Sequence, residues 1–182
     1  MINLDRIVEI QENIDDNTTK INAIIDRTIR PYVKDLDAAI KEYSKQINNT
    51  SNPISDETLD RIILELPKLM YWASEGQEIL SLKSEFAKII KSDKIIESLK
   101  VQTGSVSEKN LKAEQDAIDE NVSLYIYVYS VNKIKDRLGN AMELLQSAKK
   151  IISKRMKDND WSPPYKEVDN LNENPRERRK AF

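Results

Sequence analysis

Leu124-Tyr125-Ile126-Tyr127-Val128-Tyr129-Ser130-Val131 is the stretch on which the fold turns. Aliphatic residues at 124, 126 and 128 alternate with tyrosines at 125, 127 and 129, and such β-branched and aromatic composition favours a strand. A strand needs partners, however, and only Ile62-Ile63-Leu64 resembles one, inside a stronger helical pattern. At helical spacing Leu124, Tyr127 and Val131 run on into Ile134, Leu138, Ala141, Leu145, Ala148 and Ile152 in steps of four and three. That is the seam of a coiled coil or bundle helix. The helical reading wins: Tyr127 falls on the seam, and Tyr125 and Tyr129 stand one turn apart beside it.

Working outward, the same periodicity organises the rest of the chain. From Asn3 to Gln46 a stripe of Ile7, Ile10, Ile14, Ile21, Ile24 and Ile25 passes into Ile29, Val33, Leu36, Ile40 and Tyr43 with a phase change near Thr28. Pro31 lies beside it and predicts a kink or break. Asn48 to Pro53 reads as a loop, and Ser55 as the N-cap of a second helix reaching about Leu99, with Ile54 and Leu59 at staple spacing. Pro67 and Gly76 predict departures from straightness in it, and Trp72 reads as a packing residue. Gly104 breaks the chain again, and Ser105 with Glu108 has the S-x-x-E spacing of a capping box. A third helix is predicted from about Val106 to Met156, followed by a polar tail with three prolines.

The predicted architecture is therefore all-α, an elongated hairpin or bundle with coiled-coil segments. Its units are a long or kinked helix over 1–47, a helical hairpin over 56–157 and a mobile basic-ended tail over 158–182. Stripes this long have too little partner surface in three segments, so the chain is expected to form a homo-oligomer.

Composition narrows the chemistry. The 182 residues include no cysteine and no histidine, which excludes disulfides, thiol or imidazole nucleophile systems, and zinc sites built on those ligands. Only three glycines occur, and Gly104 lacks the companions of a phosphate loop. Carboxylate groups such as Asp15/Asp16, Asp56/Glu57/Asp60 and Asp116/Asp119/Glu120 read as caps and solvated faces, since nothing in their spacing converges on a metal. No catalytic residue, metal or cofactor is expected, and the chain is read as a non-enzyme. No apolar run approaches the length of a membrane span, and the first residues carry Asp5, Arg6 and Glu9 where an export signal has a basic and then an apolar segment. A cytoplasmic location is expected.

Charge is unevenly spread. Residues 1–82 hold nine cations against fifteen anions, and residues 133–182 hold thirteen against eight, within a net charge of −2. The acidic front and basic rear either pair across a bundle or leave the rear open to phosphate. Two lysine-bearing stretches are candidates for phosphate contact: Lys83, Lys88, Lys91, Lys94 and Lys100, and Lys149, Lys150, Lys154, Arg155 and Lys157. A hairpin around Gly104 offers a way to make them neighbours. Tyr125 and Tyr129 would stack on bases if exposed, or else pack with their hydroxyls bonded. Arg176, Arg178, Arg179 and Lys180 form an auxiliary contact or a solubilising end.

Leu69-Met70-Tyr71-Trp72-Ala73, the lysine-bearing helix before Thr103-Gly104, Leu124-Tyr125-Ile126-Tyr127-Val128, Leu138-Gly139-Asn140-Ala141 and Ile151-Ile152-Ser153-Lys154-Arg155 together resemble the recombination mediator family of T-even-type bacteriophages. The resemblance spans about residues 65–157. It implies a small helical oligomer that binds single-stranded DNA and helps load a recombinase onto DNA covered by a single-strand-binding protein, in an infected bacterial host. The family's lysine-arginine element has only a partial counterpart, Leu82-Lys83-Ser84-Glu85. The alternative is a phage-encoded helical scaffold or protein-binding inhibitor without DNA activity.

Overall fold

The computed structural model describes residues 4–49 and 53–160, and every element in them is helical. Helix α1 covers Leu4–Ile47, α2 Asp56–Val101, α3 Val106–Asp116 and α4 Ile118–Asp160. Their starts follow from local chemistry. The Ser55 hydroxyl accepts from the Thr58 amide at 3.2 Å, with Asp56 and Glu57 at the positive end of α2. At α3 the capping box closes: the Ser105 amide donates to Glu108 Oε2 at 2.9 Å, and the Glu108 amide donates to Ser105 Oγ at 3.3 Å. Gly104, at φ 124°, makes the left-handed turn before it.

Helices α2 and α4 lie antiparallel, for Lys91 meets Asn121 near one end and Arg155 meets Asp56 near the other. The later part of α1 completes a three-helix core. Ile29, Val33, Leu36 and Tyr43 are buried against Leu59, Ile62, Leu66 and Leu80 of α2, and against Ile134, Ala141, Leu145 and Ala148 of α4. Gly76 sets the approach of α1 and α2. A Cβ there would meet the Tyr32 ring and Cβ at 2.3–2.5 Å, so no larger residue fits without displacing Tyr32.

The segment 124–131 is helical, and Tyr127 packs on the core. Ser130 is buried, its hydroxyl bonded to the Ile126 carbonyl one turn back. Of the long helix and the kinked helices foreseen over 1–47, α1 is one helix that runs through Pro31 without a break. Proline costs one ladder bond, and buried Ile29 and Val33 on either side hold the helix against the core. The third helix is instead two. Asp116 accepts from Ser98 Oγ and from Gln102 Nε2 at the end of α2, tying α3 down, and the chain turns at buried Ala117 before α4 begins. Helix α4 also continues to Asp160, beyond the boundary expected at 157.

The first part of α1 contributes nothing to this core. From residue 6 to residue 20 every side chain is exposed, and burial begins with Ile21 and Ile25. The phase change near Thr28 accounts for it. The stripe beats on 7, 14 and 21, whereas the buried face beats on 29, 36 and 43, one residue past the heptad.

Candidate nucleic-acid interface

The basic rear divides: some of its cations pair with the acidic front, and others stay exposed. Arg137 donates from Nε to both carboxylate oxygens of Asp37, at 2.8 and 3.0 Å, and Lys133 reaches Asp26 at 3.0 Å. Arg155 binds Asp56 and the Ile54 carbonyl, closing the α4 end onto the start of α2. These cations join the rear of the chain to its acidic front, and they do so across elements about a hundred residues apart in sequence.

Lys149, Lys150, Lys154 and Lys157 behave otherwise. All four are exposed, and among the described residues none makes an ion pair. With Ser153 they line one shallow hollow of about 370 Å³ on a single side of α4. Helical geometry explains the grouping: offsets of one, four, five and eight residues from Lys149 fall within about 140° of arc. Four ammonium groups with a hydroxyl among them form a broad, solvent-open cradle for a polyanion. Its shallowness suits a backbone of phosphates better than a small molecule.

The lysines of α2 are less coherent. Lys83, Lys88 and Lys100 are exposed, Lys94 is half-buried, and Lys91 donates to Asn121 Oδ1 at 2.7 Å as part of the α2–α4 contact. Lys100 stands about 240° around the helix from Lys94. The two lysine stretches do not become neighbours. Since Lys91 is level with Asn121, Lys149 lies 28 residues farther along α4, about 42 Å away along the bundle. Antiparallel pairing sends the end of α4 to the start of α2, not to its lysine-bearing end.

Among known families, curated proteins and solved structures, nothing matches this chain.

The aromatic residues lie apart from the lysine hollow. Tyr125 and Tyr129 are 53% and 55% exposed, with ring centroids 6.4 Å apart, and they flank a groove whose other wall is Thr18, Ile21, Asn22 and Ile25 of α1. Trp72, expected in the packing, is instead 63% exposed and meets Tyr71 edge-on at 6.0 Å. A bond to Glu75 raises the Tyr71 hydroxyl pKa above its ordinary value. Sequence reasoning missed this pair because Trp72 sits beside core residue Ala73 in a wide apolar face. Arg176, Arg178, Arg179 and Lys180 lie outside the described residues. No group of three or more carboxylates among the described residues is placed to hold a metal, and no helix there is long and apolar enough to cross a membrane.

Proposed function

We propose that the chain is a non-enzymatic mediator that binds single-stranded DNA through the end of α4. The observation that supports it is the division of the basic rear: Lys133, Arg137 and Arg155 are engaged in structural ion pairs, while Lys149, Lys150, Lys154 and Lys157 remain open on one side. Lysines on a helix track phosphates without reading bases, as a sequence-tolerant DNA protein requires. Exposed Lys83, Lys88 and Lys100 are secondary contacts at the far end of the bundle, and Tyr125 and Tyr129 are available for stacking. In this reading a recombinase and a single-strand-binding protein are its partners, in the cytoplasm of an infected bacterium.

The second reading is a helical scaffold or inhibitor that binds protein alone. It is favoured by exposed apolar stripes on α1 and α2. Titration of the wild-type chain against a labelled, unstructured DNA strand at several salt concentrations separates the two. The mediator reading expects affinity that falls steadily as salt rises. Absence of association at low salt, alongside tight capture of one protein, would favour the scaffold.

A further inference from the structure

The leading arm of α1 carries a seam that its own bundle does not use. Ile7, Ile10, Ile14, Asn17, Ile21 and Ile24 recur in steps of three and four, the a and d positions of a coiled coil. Ile7, Ile10, Ile14 and Ile24 are 41–56% exposed, and Asn17 is exposed with them. The core leaves this seam behind because its own beat on Ile29, Leu36 and Tyr43 starts one residue out of phase. Helical stability in proteins comes mainly from packing an apolar face, and residues 6–20 bury none in their own chain.

The polar residues of the arm are sorted around that seam. Glu9, Glu12, Asp15 and Asp16 all fall at b, c and f positions, turned away from it. Between Ile7 and Ile24 the flanking e and g positions hold Gln11, Asn13, Thr18 and Lys20. The first three are uncharged, and Lys20 is tied to Asp16 of its own helix at 2.6 Å. A net-acidic arm therefore meets its own copy without setting like charges face to face.

We propose that the leading arms of two copies of this chain pair in parallel and in register, closing a two-fold dimer through the seam from Ile7 to Ile24. A two-fold axis along parallel arms keeps equal residues level, so each seam residue meets its own counterpart and neither chain has to slide. The asparagine decides the direction. In parallel arms Asn17 faces Asn17, and each amide can donate to the other's carbonyl. In antiparallel arms the same layers set Asn17 against Ile14 and leave both amides in apolar surroundings. Isoleucine at both seam positions favours a higher strand number. Here one shoulder of the arm is taken: Thr18, Ile21 and Ile25 line a groove with Tyr125 and Tyr129 of the same chain, which leaves room for one neighbour.

The exposed row on α2 is a poorer partner. Paired with itself, its run of Ile79, Leu82, Phe86 and Ile89 is bounded on the same beat by Glu75 and Asp93, which would face carboxylates. Paired with the arm of a second copy, it meets the level set by Tyr32 on Gly76 and Tyr43 on Glu65, which brings Ile14 to Lys94 and Ile21 to Ala87.

Sedimentation equilibrium of the full chain tests the contact. The wild type should be dimeric, and Ile14→Glu, at a side chain the core does not touch, should weaken dimer affinity at least tenfold. Two controls, Val8→Glu on the outer side of the arm and Phe86→Glu on α2, should keep wild-type affinity. A monomeric wild type, an assembly larger than two chains, an Ile14→Glu chain that dimerises as tightly as the wild type, or loss of the dimer in either control would each overturn the proposal. A second measurement reads the direction. The chain has no cysteine, so Ile10→Cys chains under mild oxidation should join to one another, with the two Cα atoms level across the seam. Antiparallel arms would place Ile10 beside Ile21 instead. In a mixture of Ile10→Cys with tagged Ile21→Cys chains, disulfides should join like chains, and predominantly unlike-chain disulfides would contradict the parallel arrangement. These residues are separate from Lys149 to Lys157, so failure here and failure of DNA binding are distinguishable.

Discussion

At the scale of single residues, Gly76 and Gly139 make a matched pair. Both lie inside helices, yet a Cβ at Gly76 would strike Tyr32, whereas a Cβ at Gly139 meets nothing within 4 Å. Gly139→Ala should stabilise by about 1 kcal/mol through helix propensity, raising Tm by a few degrees. Gly76→Ala gains the same propensity but incurs an overpacking cost of about 1–3 kcal/mol, so its Tm should be unchanged or lower. Thermal unfolding followed by circular dichroism reads both, and a rise for Gly76→Ala equal to that for Gly139→Ala would contradict the close α1–α2 approach. Tyr43 gives a pH-dependent counterpart. Burial, with the bond to Glu65 adding to it, pushes its hydroxyl from 10.0 up to about 12. The unfolded chain loses this proton first, so the contribution is whole below pH 10 and disappears between pH 10 and 12. Tyr43→Phe should therefore flatten the alkaline fall of Tm over that window, and an identical fall in wild type and variant would count against a buried, bonded Tyr43.

At the scale of elements, the caps and the break after Asp116 differ in how they arise. Ser105 and Glu108 close a box from residues three apart, and the bonds from Ser105 lower the Glu108 pKa below its ordinary carboxylate value. The start of α3 should hold as pH falls to about that ordinary value, 4.5, and loosen as it drops further through the lowered one. Amide exchange at residues 105–109 checks it; protection that vanishes well above pH 4.5 would contradict the cap. Such caps were legible in the sequence because every partner is local, as was the helical sense of 124–131 from its continuity with Ile134 and Leu138. The α3–α4 break was not legible, because it depends on Ser98 and Gln102 at the end of another helix. Replacing Asp116 with alanine strips the buried Ser98 hydroxyl of its acceptor, a destabilisation of about 1–3 kcal/mol. It should raise exchange across 106–116 while leaving Leu59 to Leu80 protected. Unchanged exchange in α3 would show that Asp116 does not tie it down.

At the scale of the whole molecule, the basic rear of the chain proves to be two populations, and sequence alone did not sort them. Charge counts identified the acidic front and basic rear, but pairing Asp37 with Arg137 requires the register of α1 against α4, fixed only by the packed core. The same registration separates the two lysine stretches and leaves the end of α4 as the most coherent cationic surface among the described residues. The most direct measurement is the slope of log affinity against log salt for single-stranded DNA. It should be compared in the wild type, in a variant with Lys149, Lys150, Lys154 and Lys157 changed to glutamine, and in a control with Lys133 and Arg137 changed likewise. For the four-lysine variant we expect weaker binding and a slope shallower by about 0.7 for each phosphate that is no longer neutralised. The control, whose cations face Asp26 and Asp37, should keep the wild-type slope. Equal affinity and equal slopes for the wild type and a folded four-lysine variant would contradict DNA binding at the end of α4.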